Sequence, residues 1–268
     1  YDRMVNPVLI LCLKKLGAHP NAVKSLADTW AHTIHYIKTK YGVSSTYYKN
    51  SPESLLFGPG QGSTLGPFLW LLCFILMVNS IRPDTPRLSH VSVDGNISLT
   101  HFGDSFVDDT ALGCTADPLT IAEVSPEIEE ERCKLVVSNL TILSQQWERL
   151  LFSTGGGINL LKSFWFMMAW TWKDGVATLA TIHQSPGELN LTAGYDTSPV
   201  QVPRIEATST YRTLGAFVSP SGNVTEAVHR LKTQSLDYST HVTGSHFSRE
   251  DALWSYISYY IPQVGYSI

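Results

Sequence analysis

An unbroken run of eleven apolar side chains, FLWLLCFILMV at residues 68–78, constrains this chain more than any other stretch. A membrane span needs about 20 such residues, so the run reads as a helix beginning near Pro67 and buried in a core. Covering such a helix takes a large apolar complement, and the chain has one. Hydrophobic residues make up 43% of its 268 positions and charged residues only 16%. That excludes a disordered chain and allows one large domain or two smaller ones. The net charge of −4 argues against a wholly basic nucleic-acid binder, while leaving room for a local basic face.

Turn and cap signals order the rest. Asn6 and Pro7 read as an N-cap and first helical position, with Val8, Cys12, Leu13 and Leu16 on one face and Gly17 as the stop. A second helix is predicted from Pro20 to Gly42, on the spacing of Val23, Leu26, Trp30, Ile34, Ile37 and Tyr41. Val91 and Val93, then Asp94-Gly95-Asn96, then Ile97 and Leu99 form a hairpin pattern. A long helix should start at Ser125-Pro126 and bury Val136, Leu140, Leu143, Trp147, Leu150 and Leu151, ending at STGGG. Its acidic opening, Glu127 and Glu129–Glu131, suits a helix N-terminus. A hairpin should turn at Asp174-Gly175, and TYRTLGAFVSPSGN reads as another strand pair. Helix returns from Thr225, with Val228, Leu231 and Leu236, then Leu253, Tyr256, Ile257 and Tyr260. Helices, hairpins, helix, strands and helices in that order give an α+β fold with a mainly antiparallel sheet.

Few residues suggest chemistry. Cys12, Cys73, Cys114 and Cys133 are scattered with no CxxC pair, which excludes a recognisable zinc site and suits reduced thiols. His32 and His35 on the second helix have no third ligand nearby, so they read as surface histidines. Trp165, Trp170 and Trp172 could stack on bases, but alternating strand positions favour core or sheet-face packing. The exception is GDSFVDDTAL, residues 103–112, where Asp108 and Asp109 interrupt a strand-forming run. Adjacent aspartates can be a solvated hairpin turn. They can also project from a rigid hairpin tip as hard oxygen ligands for Mg2+. The pair alone does not choose between these.

Its company bears on the choice. FVDD, residues 106–109, resembles the aromatic-x-Asp-Asp motif of reverse transcriptases. GPGQGSTLGP, residues 58–67, resembles that family's Gln-Gly loop-to-helix motif, and GGGINLLKS, residues 155–163, its Gly-x-x-Asn-x-x-Lys segment. YRTLG, residues 211–215, looks like its Leu-Gly primer turn. The four follow the family's order, and the likeness is nearest to polymerases of retrotransposons without long terminal repeats. Gly66 departs from the usual serine, and Ser163 from a frequent Cys or Thr. An RNA-dependent RNA polymerase fits less well, since Val107 stands where that class has glycine.

The resemblance implies a palm over residues 1–222, truncated at its start, and a partial thumb over 223–268, with fingers absent. It implies RNA-directed DNA polymerisation by two Mg2+ (or Mn2+) ions, with an RNA template, a DNA primer and a dNTP as partners and no membrane. Asp108 would be the principal metal ligand and Asp109 the second. Tyr1 would stack under the sugar, Phe106 would lie beside the nucleotide, and Gln61 and Gly62 would position nucleotide and template. Lys162 would neutralise the leaving pyrophosphate, although it reads equally as a solvated lysine at a loop end. Leu214 and Gly215 would grip the primer. One metal-binding aspartate would precede Tyr1, so the expectation is a chain inactive by itself. An intracellular setting, nuclear or cytoplasmic, follows. The alternative is a catalytically inactive retroelement remnant, at most a nucleic-acid-binding or structural module.

Overall fold

The apolar run forms helix α3, Gly66–Asn79, but the helix is buried on one side only. In this computed structural model, which describes residues 4–51, 58, 65–106, 109–116, 125–192, 198–213 and 216–265, Leu69, Cys73 and Met77 line the covered face. Their i, i+4 spacing stacks them in one row. Phe68 and Leu71, each 51% exposed, lie outside it, which corrects the expectation of burial all round. Leu69 and Cys73 of this row face helix α1 (Asn6–Lys15) and pack with Met4, Leu9, Leu13 and Val23, while Met77 packs with Ile81 and Trp147. Val5 caps α1 and Asn6 is already helical, so Asn6 is not the N-cap; Leu16 is exposed rather than on the buried face.

The second helix departs furthest from expectation. Helix α2 runs Pro20–His32 and stops there, and residues 34–49 form a hairpin, β1 (Ile34–Thr39) against β2 (Gly42–Lys49). Thr33 ends the helix by donating both its N–H and its hydroxyl to the Thr29 carbonyl, at 2.9 and 2.6 Å. Beyond it, β-branched and aromatic residues favour an extended chain, and Gly42, with φ 132°, lets the second strand leave the turn. His32 and His35 therefore sit on different elements.

Elsewhere turn and cap chemistry decides the elements. Strands β3 (Leu88–Val91) and β4 (Ser98–His101) flank the Asp94-Gly95 turn, and β5 (Gly103–Phe106) pairs with β6 (Asp109–Leu112). Helix α4, Pro126–Ser153, begins where the Ser125 hydroxyl accepts the Ile128 N–H and ends before Gly155, with φ 91°. It buries Leu143 and Trp147 as expected. Hairpin β7 (Trp170–Lys173) and β8 (Val176–Leu179) turns at Asp174 and Gly175, with φ of 52° and 78°. A hairpin missing from the sequence reading, β9 (Leu189–Thr192) with β10 (Pro199–Val202), packs on α4 through Leu189 and Leu191 and the Thr192 N–H to Gln145 Oε1 bond. Strands β11 (Tyr211–Thr213) and β12 (Ala216–Val218) precede α5 (Thr225–Gly244). Helix α6, Arg249–Ser255, then passes through a π turn, Tyr256–Tyr260, into α7, Ile261–Gly265.

The fold is thus α+β, but among the described residues every sheet has two strands rather than one sheet collecting them. One reason is visible beside β3. The Ser89 N–H goes to the Thr115 hydroxyl at 3.0 Å, so a side chain takes a donor that a neighbouring strand would use. No helix among the described residues is long and apolar enough to cross a membrane.

Two units divide the chain. The first comprises Tyr1–Ser163 and Glu188–Val202, and the second Phe164–Gly187 and Pro203–Ile268. In the second, Trp165 exchanges backbone hydrogen bonds with Pro203 and Ile205 and is buried under the Arg204 guanidinium. Trp170 and Trp172 face outward, so only the first of the three tryptophans is core. Helix α5 meets the π turn through stacked Tyr238 and Tyr260, 4.6 Å between centroids. Its expected stripe stays open, with Val228 and Leu236 exposed, as are Leu253, Tyr256 and Ile257 further on.

Within the first unit, the Cys12 and Cys73 sulfurs are 3.7 Å apart and buried. Burial, and then the neighbouring Cys12 thiol, push Cys73 from 9.0 up to about 12, and burial pushes Cys114 to about 11. Raised folded-state values stabilise fully below the unfolded value and are lost as pH rises through the folded one. The urea midpoint should therefore fall as pH climbs from about 9 toward 12. At pH 8 a disulfide-exchange reagent should reach Cys73 only on unfolding; rapid modification of the folded chain would contradict the burial argument.

Candidate functional site

Hairpin β5–β6 is fixed at its root. Phe102 and Leu112 bracket the root and pack into a cluster centred on Met77, Ile81 and Trp147. The Phe102 ring lies 5.9 Å from the Trp147 ring, and Gly113 N–H closes the root on the Phe102 carbonyl at 3.0 Å. Gly103 is required by space as well as conformation. At φ 154° an added Cβ would lie 2.0 Å from the Ala111 carbonyl oxygen. Gly103→Ala should therefore cost on the order of 2–3 kcal/mol and loosen this hairpin first. Urea melting and amide exchange at Thr110 and Ala111 would measure it; unchanged protection there would refute the packing argument.

The register pairs Phe106 with Asp109, Ser105 with Thr110 and Asp104 with Ala111. Cross-strand alternation therefore sets Asp109 and Asp104 on one face, and Ser105 and Thr110 on the other. Hydroxyls lock the second face: Ser105 Oγ lies 3.1 Å from Thr110 Oγ1 and donates to the Asp109 carbonyl at 3.2 Å. Asp109 is exposed at the first position of β6, and the exposed Asp104 carboxylate lies 4.0 Å from His101 Nδ1. Asp104 is the acid the sequence reading passed over; its signal is an even offset from Phe106, which two-residue periodicity puts on Asp109's side. Exposed carboxylates on a rigid ribbon suit a hard, oxygen-seeking cation. Among the described residues no group of three or more His, Cys, Asp or Glu side chains gathers.

The flanks of two other motif segments are anchored in the same unit. The Met4 carbonyl accepts the Gly58 N–H at 2.7 Å, where the Gln-Gly segment begins. Next along, Val5 donates to the Thr154 carbonyl at 2.9 Å, immediately before GGGINLLKS. That segment returns to the Trp147 cluster through Ile158. It then turns on Asn159, whose carbonyl accepts the Lys162 N–H and the Ser163 hydroxyl, leaving Lys162 exposed. Helix α3, which follows the Gln-Gly segment, supplies Met77 and Phe74 to the cluster.

Tyr1, Gln61, Gly62 and Asp108, together with Leu214 and Gly215 between β11 and β12, lie outside the described residues. Phe106 is placed by its backbone at the end of β5. No family model matches the chain, and no curated protein or solved structure is significantly similar to it.

Proposed function

We propose that the chain is the palm, with the helices from Thr225 as a partial thumb, of an RNA-directed DNA polymerase. The observation that supports the reading is that the anchored flanks of three of the four motif segments, FVDD, GPGQGSTLGP and GGGINLLKS, lie within one unit, while Tyr211–Thr213 of the fourth lie in the other. Backbone bonds from Met4 and Val5 tie the start of the chain to Gly58 and Thr154, and the Asp109 hairpin and Ile158 root in one cluster. Motifs scattered along the chain by chance have no reason to share anchors. Asp108 and Asp109 would hold two divalent ions, which would supply activation of the primer 3′-hydroxyl and charge stabilisation of the leaving pyrophosphate. Gln61 and Gly62 orient template and dNTP, Tyr1 and Phe106 flank the nucleotide, Lys162 neutralises pyrophosphate, and Leu214-Gly215 holds the primer.

The test is a titration of Mn2+ with the chain in the presence of a dNTP, following the signal of free Mn2+ by electron paramagnetic resonance. Binding should be lost in Asp108→Ala and weakened in Asp109→Ala, and kept in Asp84→Ala, whose carboxylate is engaged by Arg82. Equal binding by all four proteins would remove the hairpin tip from the metal site.

A further inference from the structure

The geometry points to hairpin β1–β2 as a binding arm for single-stranded nucleic acid, with its tyrosines taking bases and its lysines taking phosphates. The chain as a whole carries a net charge of −4, yet the segment between Asp28 and Glu53 contains no carboxylate. It does contain Lys38, Lys40 and Lys49, all exposed, and among the described residues none of the three is in an ion pair. Tyr36, Tyr47 and Tyr48 are each about half exposed and Tyr41 is 87% exposed.

The register arranges these groups into repeating units. Tyr36 lies opposite Tyr47 and Ile34 opposite Lys49 on one face, while His35 stacks on Tyr48 at 5.0 Å on the other. Tyr36 and Tyr47 are 6.0 Å apart and tilted by 59°, so neither ring covers the other's face. Near the turn, Lys40 Nζ lies 4.9 Å from the Tyr41 ring centroid, a cation beside an aromatic face. The hairpin's polar bonds are spent internally, with Ile37 N–H on Ser44 Oγ and Ser44 Oγ on the Thr46 carbonyl, which stiffens the arm and leaves the rings and ammonium groups outward.

Aromatic faces alternating with lysines on a ribbon free of carboxylates match a polyanion that also offers flat π faces. Single strands offer both; a duplex hides its base faces, and an anionic membrane offers no stacking partner. The inference rests on the polymerase reading for the class of ligand alone. The assay therefore contains EDTA, so that failure of the metal site leaves its outcome unchanged.

The experiment follows fluorescence anisotropy of a labelled 20-nucleotide single-stranded RNA titrated with the chain at several salt concentrations. Tyr36→Ala and Tyr47→Ala should each weaken binding by about fivefold or more. The triple change Lys38→Gln, Lys40→Gln, Lys49→Gln should reduce the slope of log affinity against log salt by about 2, at ~0.7 per phosphate contact. Lys14→Gln, Lys15→Gln and Lys24→Gln remove the same charge from exposed sites on α1 and α2, and should leave the slope nearly intact. Circular dichroism confirms folding of each variant. Parent-like binding by the hairpin variants, an equal loss in the α1/α2 control, or tighter binding to phosphatidylserine vesicles than to RNA would each overturn the assignment.

Discussion

Trp147→Ala should lower the stability of the first unit by about 3–5 kcal/mol, the usual cost of emptying a buried aromatic site. Trp147 is 3% exposed and holds four segments together. Phe74 of α3 meets it edge-on at 5.8 Å, Phe102 at the hairpin root lies 5.9 Å away, and Met77, Ile81 and Ile158 complete the cluster. No single neighbour can collapse into the space, because the neighbours are held by α3 and the residues just after it, by the hairpin root and by residues 155–163. The loss should therefore fall at the high end and should loosen the Asp109 hairpin together with residues 155–163. Trp172→Ala, at a side chain 64% exposed, should change stability by no more than about 0.5 kcal/mol. Urea melting by circular dichroism, with amide exchange in β6, separates the two. Equal effects would mean that the cluster does not organise the unit.

Elements whose ends are written in local chemistry are legible in the sequence. Ser125-Pro126 and STGGG mark α4, and Asp174-Gly175 marks a turn with both residues at positive φ, because these signals act through one or two backbone positions. The β1–β2 hairpin is not legible by spacing. Trp30, Ile34, Ile37 and Tyr41 satisfy a helical period, and the stop depends on Thr33 bonding back to Thr29. Burial is less legible still: α3 is apolar all round, and only the packing against α1 and α4 selects Leu69, Cys73 and Met77 over Phe68 and Leu71. Of the candidate site, the hairpin bearing Asp109 is legible from its strand formers. Its anchoring is not, since the Met4–Gly58 and Val5–Thr154 bonds are backbone bonds that any side chain would permit.

The second large effect concerns the carboxylates themselves. In the proposed reading Asp108 sets the ions on which in-line transfer depends, and no neighbour at the turn offers a replacement oxygen donor of equal charge except Asp109. Its loss removes stabilisation that exists only as charge develops, so about a hundredfold or more should disappear from the rate while the fold is kept. Asp104→Ala, on Asp109's face but nearer the hairpin root, should cost far less. The direct measurement is extension of a labelled DNA primer on an RNA template with Mg2+ and dNTPs. The chain is extended by the metal-binding aspartate that the resemblance would place before Tyr1, and is compared with the same protein carrying Asp108→Ala. Extension by the first and not by the second is the expected result; extension at the same rate by both, or by neither, would contradict the polymerase assignment.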